Sequence, residues 1–163
     1  DEAAKGTPGL VHDPPTATGI DTDITADALR TAAADAERLG LAARAMFVES
    51  DYCEKLKGPF DLIVSNPPYV RRTEIANLAP EVREHDPRRA LDGGSDGLVA
   101  YRAMAHDIVA LLEPGGAFAL EVGIGQADEV AELMRLCGLH TIRPHRRDIA
   151  GIARVVWGRK PIS

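Results

Sequence analysis

The sequence predicts an α/β fold: a doubly wound, mostly parallel sheet closed by a C-terminal antiparallel hairpin. Three observations predict it. Short β-type segments alternate with helical ones at close spacing, the order expected of parallel strands joined by crossover helices. The run Phe60-Asp-Leu-Ile-Val-Ser65 is apolar enough for a strand buried on both faces. The last two β-type segments follow one another with no helical pattern between them.

Each element follows in order. Residues 1–17, with Gly6, Pro8, Gly9, Pro14 and Pro15, read as a loop or tail. Residues 18–23 form a short strand ending in acid. Residues 26–39 repeat Ala28, Leu29, Ala32, Ala33, Ala36 and Leu39 at helical spacing, and Gly40 stops the helix. Residues 43–49 are a second strand and 60–65 a third. Residues 66–96 are irregular, rich in proline. Residues 97–112 carry apolar side chains at helical intervals. Pro114-Gly115-Gly116 turns the chain into a fourth strand at 117–122, and 126–137 is a helix with Ala127, Val130, Ala131, Leu133 and Met134 inward. Strands at 140–144 and 153–157 pair antiparallel.

Apolar residues make up 45% of the 163 and aromatics only 4%, so the core is expected from Ala, Leu, Val and Ile. Nineteen basic against 25 acidic residues leave a net charge of −6, which argues against broad binding to nucleic acid or an anionic membrane. No apolar run approaches a membrane span, and Asp1-Glu2-Ala3-Ala4-Lys5 lacks a signal-peptide layout. Cys53 and Cys137 share no metal-ligand spacing and read as reduced thiols of a cytoplasmic protein. His85, His106, His140 and His145 show no ligand spacing either, so no metal site is expected.

In doubly wound sheets ligands sit at the carboxyl ends of strands, which singles out Asp23, Asp51-Tyr52 and Ser65-Asn66. Of these, Asn66-Pro67-Pro68-Tyr69 carries chemistry. Standing alone, a Pro-Pro-aromatic triplet is a turn that ends a strand; an amide before the prolines and a buried strand before the amide favour more. Pro67 and Pro68 have fixed φ and no N–H, so they form a stiff corner presenting carbonyl oxygens. A residue before proline is pushed to extended geometry, which aims Asn66 out of the strand end. The Asn66 side-chain carbonyl and the Pro67 backbone carbonyl can then accept both hydrogens of a planar NH₂ group, with Tyr69 stacked on its face. Such a constellation suits a poor nitrogen nucleophile, an amide or exocyclic amine, held in line with an electrophile by orientation and electrostatics.

These residues resemble the Asn/Asp-Pro-Pro-Tyr/Phe signature of amino-methyltransferases that use S-adenosylmethionine. The flanks narrow the resemblance to the HemK/PrmC family: the run 60–70, the acidic segment 80–87, Ala90-Leu-Asp-Gly-Gly with Gly97, Leu112-Glu-Pro-Gly-Gly116, Leu120-Glu-Val-Gly123 with Gln126, and Asp148-Ile-Ala-Gly with Arg154-Val-Val, in that order. The resemblance spans residues 18–160, read as one partial methyltransferase domain. It implies a Rossmann-like class I methyltransferase fold and N5-methylation of the glutamine in the Gly-Gly-Gln loop of class-1 peptide chain release factors, with no nucleic-acid or membrane partner. It assigns Asn66, Pro67, Pro68 and Tyr69 to catalysis. Asp23 is assigned to the ribose hydroxyls, Asp51 and Tyr52 to the neighbourhood of the adenine, and Asn66 to cofactor and substrate alike.

One departure is expected to matter. The family's glycine-rich loop and the strand before it have no counterpart in residues 1–22, so the chain reads as a C-terminal piece whose first central strand, between those at 18 and 60, is missing. Two alternatives stay open: an amino-methyltransferase acting on adenine N6 or guanine N2, and an inactive fragment. The first is disfavoured by the net charge and the acidic segment. The basic cluster Arg143 to Arg147 is read as a solvated strand edge, and Glu113 and Glu121 as no acid–base pair; Glu121 is as suited to structure as to the site.

Overall fold

A computed structural model of the chain describes residues 17–81 and 87–162. The tail expected at the start lies almost wholly outside them, as do residues 82–86 of the acidic segment. The chain divides into two compact units between Lys55 and Leu56.

In the first unit, β1 (Gly19–Asp23) leads into α1 (Ala26–Arg38), and β2 (Ala45–Glu49) returns parallel to β1. Thr25 caps α1, its hydroxyl accepting from the Ala28 N–H. Asp27 in the first turn and Arg38 in the last complement the helix dipole. Leu29 and Ala36 are buried, whereas Leu39, counted on the apolar face, caps the helix and is exposed. Residues 43 and 44 belong to a 3-10 turn, Ala42–Arg44, so β2 starts two residues later than its sequence pattern predicts.

In the second unit, β3 (Phe60–Ser65) lies parallel to β4 (Leu112–Glu121), which runs antiparallel to β7 (Ala153–Arg159). Two short strands, β5 (His140–Thr141) and β6 (Arg146–Arg147), also pair antiparallel with β7, so the strand expected over 140–144 ends at Thr141 and β6 lies beyond its expected bounds. Three of its helices are α2 (Arg88–Leu91), α3 (Val99–Leu111) and α4 (Ala127–Leu136). Tyr101, Met104, Ala105 and Ile108 of α3 and Val130, Ala131 and Met134 of α4 form the core with Phe118, Leu120 and Val122 of β4 and its extension. Alternation on β4 buries Leu112, Gly116, Phe118 and Leu120, the period of two that a strand imposes.

Two expectations are corrected. The fourth strand does not wait for Pro114-Gly115-Gly116; it begins at Leu112, opposite Phe60, and a register shift absorbs the intervening residues before Leu62 meets Ala117. Nor is β3 buried on both faces, since Leu62 and Val64 are 43% and 68% exposed. Among the described residues β3 has a ladder partner only in β4, and β1 only in β2, so the strands form two separate sheets.

Candidate active site

The first unit brings three of the expected site residues to one end of its sheet. β1 and β2 are parallel and Asp23 is in register with Glu49, so the turns after both strands leave from the same edge. The Ser50 N–H donates to the Asp23 carbonyl at 3.0 Å, joining the two turns directly. Asp23 Oδ1 accepts from the Thr25 N–H at 2.7 Å and the Thr25 hydroxyl at 2.6 Å, which fixes the carboxylate plane. Its Oδ2 accepts nothing among the described residues. After β2, Ser50 is buried and its hydroxyl accepts from the Lys55 N–H. This turn places Tyr52 at φ +46°, a left-handed conformation that costs a bulky side chain about 1–2 kcal/mol. Burial, then the neighbouring Asp51 carboxylate, raise the Tyr52 phenol above its ordinary pKa. Tyr52 is thus a half-buried ring held in a strained turn after β2.

The second unit carries the remaining four. Asn66 to Tyr69 follow Ser65, which sits in register with Leu120 at the carboxyl end of β3. Asn66 is exposed and its side-chain amide has no hydrogen-bond partner among the described residues, while Pro67 is buried beneath it. Tyr69 is held from several directions. Its hydroxyl donates to Glu121 Oε1 at 3.1 Å, its carbonyl accepts from Gln126 Nε2 at 3.0 Å, and the Arg154 guanidinium lies 6.0 Å from its ring centre. Burial and the Glu121 carboxylate raise the Tyr69 pKa, so the phenol stays neutral, its proton committed to Glu121.

Around Tyr69 the sequence segments that looked unrelated converge. Val70 and Asp92 form a bridge, with the Val70 N–H donating to Leu91 O and the Gly93 N–H to Val70 O. Tyr101 donates to the Glu121 carbonyl at 2.7 Å, and Arg154 to the Val122 carbonyl. A Cβ on Gly97, at φ +79°, would stand 2.6 Å from the Tyr69 carbonyl oxygen; one on Gly123 would stand 2.6 Å from Gln126 Oε1 and 3.0 Å from the Tyr69 ring. Both positions require glycine. Sequence reasoning left Glu121 undecided and assigned no role to Gln126, Tyr101, Gly97 or Gly123. Their distance along the chain hides the cluster, although all but Tyr101 stand in a segment of the resemblance.

Elsewhere in the unit, a cavity of about 550 Å³ is lined by Asp128, Arg143, Pro144, His145 and Arg147. The basic cluster there is turned on its own fold. Arg143 and His145 both meet Asp128, Arg147 donates to the Gly151 carbonyl, and Arg146 stacks 5.0 Å from the Trp157 ring centre. This agrees with a structural strand edge. Among the described residues no group of acidic, histidine or cysteine side chains is placed to hold a metal, and no helix is long and apolar enough to cross a membrane.

The chain is 51% identical, over 93% of its length, to a release factor glutamine methyltransferase of Bradyrhizobium diazoefficiens, and covers 51% of that protein. It spans about half the length of the curated relatives it matches. Its fold is similar to a methyltransferase from Pyrococcus furiosus, with a TM-score of 0.64 and 15% identity over 89% of this chain and 64% of that one. It is also similar to an RNA methyltransferase from Salinibacter ruber solved with S-adenosyl-L-homocysteine, with a TM-score of 0.51 and 15% identity over 90% and 67% of the two chains. The family profile described as methyltransferase small domain matches residues 10–119, two thirds of the sequence, and the chain belongs to that family.

Proposed function

We propose that this chain is the catalytic part of an enzyme that methylates the side-chain amide nitrogen of a glutamine, using S-adenosylmethionine, and that the glutamine is that of the Gly-Gly-Gln loop of class-1 peptide chain release factors. The observation that carries the reading is the corner Asn66-Pro67-Pro68-Tyr69, with its amide unpartnered at a strand end and its aromatic ring fixed. The substrate class is supported by the identity to the Bradyrhizobium relative, whose name states that substrate.

The residues of the first unit suit the cofactor. Asp23 keeps one carboxylate oxygen uncommitted while Thr25 holds the other, an acceptor arrangement for the hydroxyls of a cis-diol. Tyr52 offers a ring face for adenine, with Asp51 beside it. When bound, the cofactor supplies an electrophilic methyl group on a sulfonium.

The chain's own part is orientation. An amide nitrogen is a poor nucleophile because its lone pair is delocalised into the carbonyl. Asn66 Oδ1 and the Pro67 carbonyl would accept its two hydrogens, directing the lone pair away from both acceptors, and the Tyr69 ring would cover one face. As the new N–C bond forms and the methyl group's bond to the sulfonium sulfur breaks, leaving a neutral thioether, the nitrogen gains positive charge and the two acceptors bind it more strongly, so stabilisation grows toward the transition state. The nitrogen then gives one proton to solvent water, leaving a secondary amide.

The test uses the full-length protein that carries these residues, a release factor and labelled S-adenosylmethionine. Label is expected on the factor and absent when the loop glutamine is replaced by alanine. Equal labelling of the replaced factor would overturn the substrate.

A further inference from the structure

We propose that Gln126 is a positioning residue of the site: its buried side-chain amide latches the Asn66–Tyr69 corner to the end of β4, and turnover depends on that latch. The inference rests on the function proposed above and names a residue that the motif itself does not contain.

Gln126 is 5% exposed, a buried primary amide just ahead of α4. Its groups are fully directed. Oε1 accepts from the Gly123 N–H at 2.9 Å, and Nε2 donates to Tyr69 O at 3.0 Å and to Gly97 O at 3.4 Å. The reverse orientation would set an oxygen against two carbonyls and an NH₂ against an N–H, so only one arrangement is satisfied. The backbone around Gln126 is tied as well: its N–H donates to Gly123 O, and its carbonyl accepts from the Val130 N–H in the first turn of α4. The latch therefore stands on a rigid base.

At the other end of the corner, Ser65 is fixed by its register with Leu120 on β4. Between Ser65 and Tyr69 stand Asn66 and two prolines of fixed φ, so the segment has few free torsions once both ends are held. Releasing the Tyr69 carbonyl frees one end. Asn66 Oδ1 and the Pro67 carbonyl, the two acceptors aimed at the substrate nitrogen, then lose their common geometry. The corner touches substrate; Gln126 acts through it. Gly97 and Gly123 complete the device, because a side chain at either would push into the latch.

The experiment compares wild type, Gln126→Ala and Gln126→Glu in the full-length protein. Amide hydrogen exchange reads the latch without any turnover. In Gln126→Ala the Val70 and Arg72 amides, bonded to Leu91 O and Gly94 O beside the corner, should exchange faster while the Phe118 and Leu120 amides of β4 stay protected. In the release-factor assay kcat should fall on the order of a hundredfold, the usual consequence of a reacting geometry misplaced by about an ångström, with the cofactor KM near wild type. Gln126→Glu supplies a signature that a merely packing role lacks. A carboxylate facing two carbonyls repels them, whereas the protonated acid donates again to Tyr69 O, so its activity relative to wild type should rise as the pH is lowered. Unchanged protection at Val70 and Arg72, unchanged kcat in a folded alanine variant, or a glutamate profile parallel to wild type would each overturn the proposal. Should neither variant fold, exchange of the Gln126 side-chain NH₂ in the wild type decides: slow exchange supports the latch and solvent-like exchange overturns it. Absence of methyl transfer by the wild type would sink the proposed function while leaving the exchange results to judge the latch.

Discussion

The Tyr69 hydroxyl gives its hydrogen bond to Glu121 Oε1 at 3.1 Å, tying the candidate stacking ring to the end of β4. A carboxylate there works against ionisation of the phenol, adding to the effect of burial, while Arg154 pulls the other way. Glu121→Gln keeps an acceptor but removes the charge, so the Tyr69 titration should move down. Phenolate absorbance, taken as the difference between each protein and its Tyr69→Phe counterpart, reads it. The sign of the linked stability follows. A raised folded-state pKa contributes fully below the unfolded value of about 10 and is lost as pH rises through the folded one, so wild type should lose this contribution at higher pH than the variant. An unmoved titration would detach Glu121 from Tyr69.

At Asn66 the side-chain carbonyl is assigned to the substrate nitrogen. Asn66→Ala should lower turnover by about a hundredfold or more, the effect of losing one positioned acceptor, with little change in melting because the residue is exposed. Asn66→Asp keeps an acceptor and should retain more activity than alanine. Initial rates of release-factor methylation decide, and equal rates for wild type and alanine would remove Asn66 from catalysis.

How much of this was legible follows from what a sequence encodes locally. The helix 127–136 was readable because its apolar residues recur at helical spacing, and the corner 66–69 because proline, asparagine and tyrosine carry their geometry with them. The burial of β3 was misread, since an uninterrupted apolar run looks the same whether it is covered on both faces or stands at an edge with Leu62 and Val64 open. The start of β4 was hidden by Pro114-Gly115-Gly116, which resembles a turn but is absorbed by a register shift against β3. The Gln126 latch was unreadable for a different reason. The two partners of its NH₂ stand 57 and 29 residues away, and nothing in local spacing tells a buried glutamine from a solvated one.

Asp23 yields a binding prediction. With Thr25 occupying Oδ1, the carboxylate is held ready for hydroxyl donors. Asp23→Ala in the full-length protein should weaken S-adenosylmethionine binding by about 1–3 kcal/mol, the range for hydrogen bonds to a charged group. Titration calorimetry measures it, and unchanged affinity would reject the ribose assignment.

Asp96 yields a pH prediction. Its carboxylate accepts from Arg102 and from the Leu98 N–H just ahead of α3, and these bonds hold its pKa down to about 2. A depressed carboxylate contributes stability above its unfolded pKa and loses it as the pH falls through the folded value. Asp96→Asn should therefore melt below wild type at neutral pH, with the gap closing in strong acid between about pH 4 and 2. A gap that persists at the acid end would mean that the charge is not its source.

Gly97 and Gly125 separate backbone strain from crowding. Both adopt left-handed φ, +79° and +82°, which alanine enters only at a cost of about 1–2 kcal/mol. A Cβ on Gly125 meets nothing within 4 Å, whereas one on Gly97 would stand 2.6 Å from the Tyr69 carbonyl oxygen and press on Gln126. Gly125→Ala should thus lose only the strain term and keep its turnover. Gly97→Ala should lose more stability, because the crowding atoms are backbone and a buried amide with nowhere to move, and its turnover should drop at least about tenfold as the corner shifts. Denaturant melts and initial rates on the two variants side by side make the comparison. Equal losses in both would show that the space beside Tyr69 is not what glycine protects at position 97.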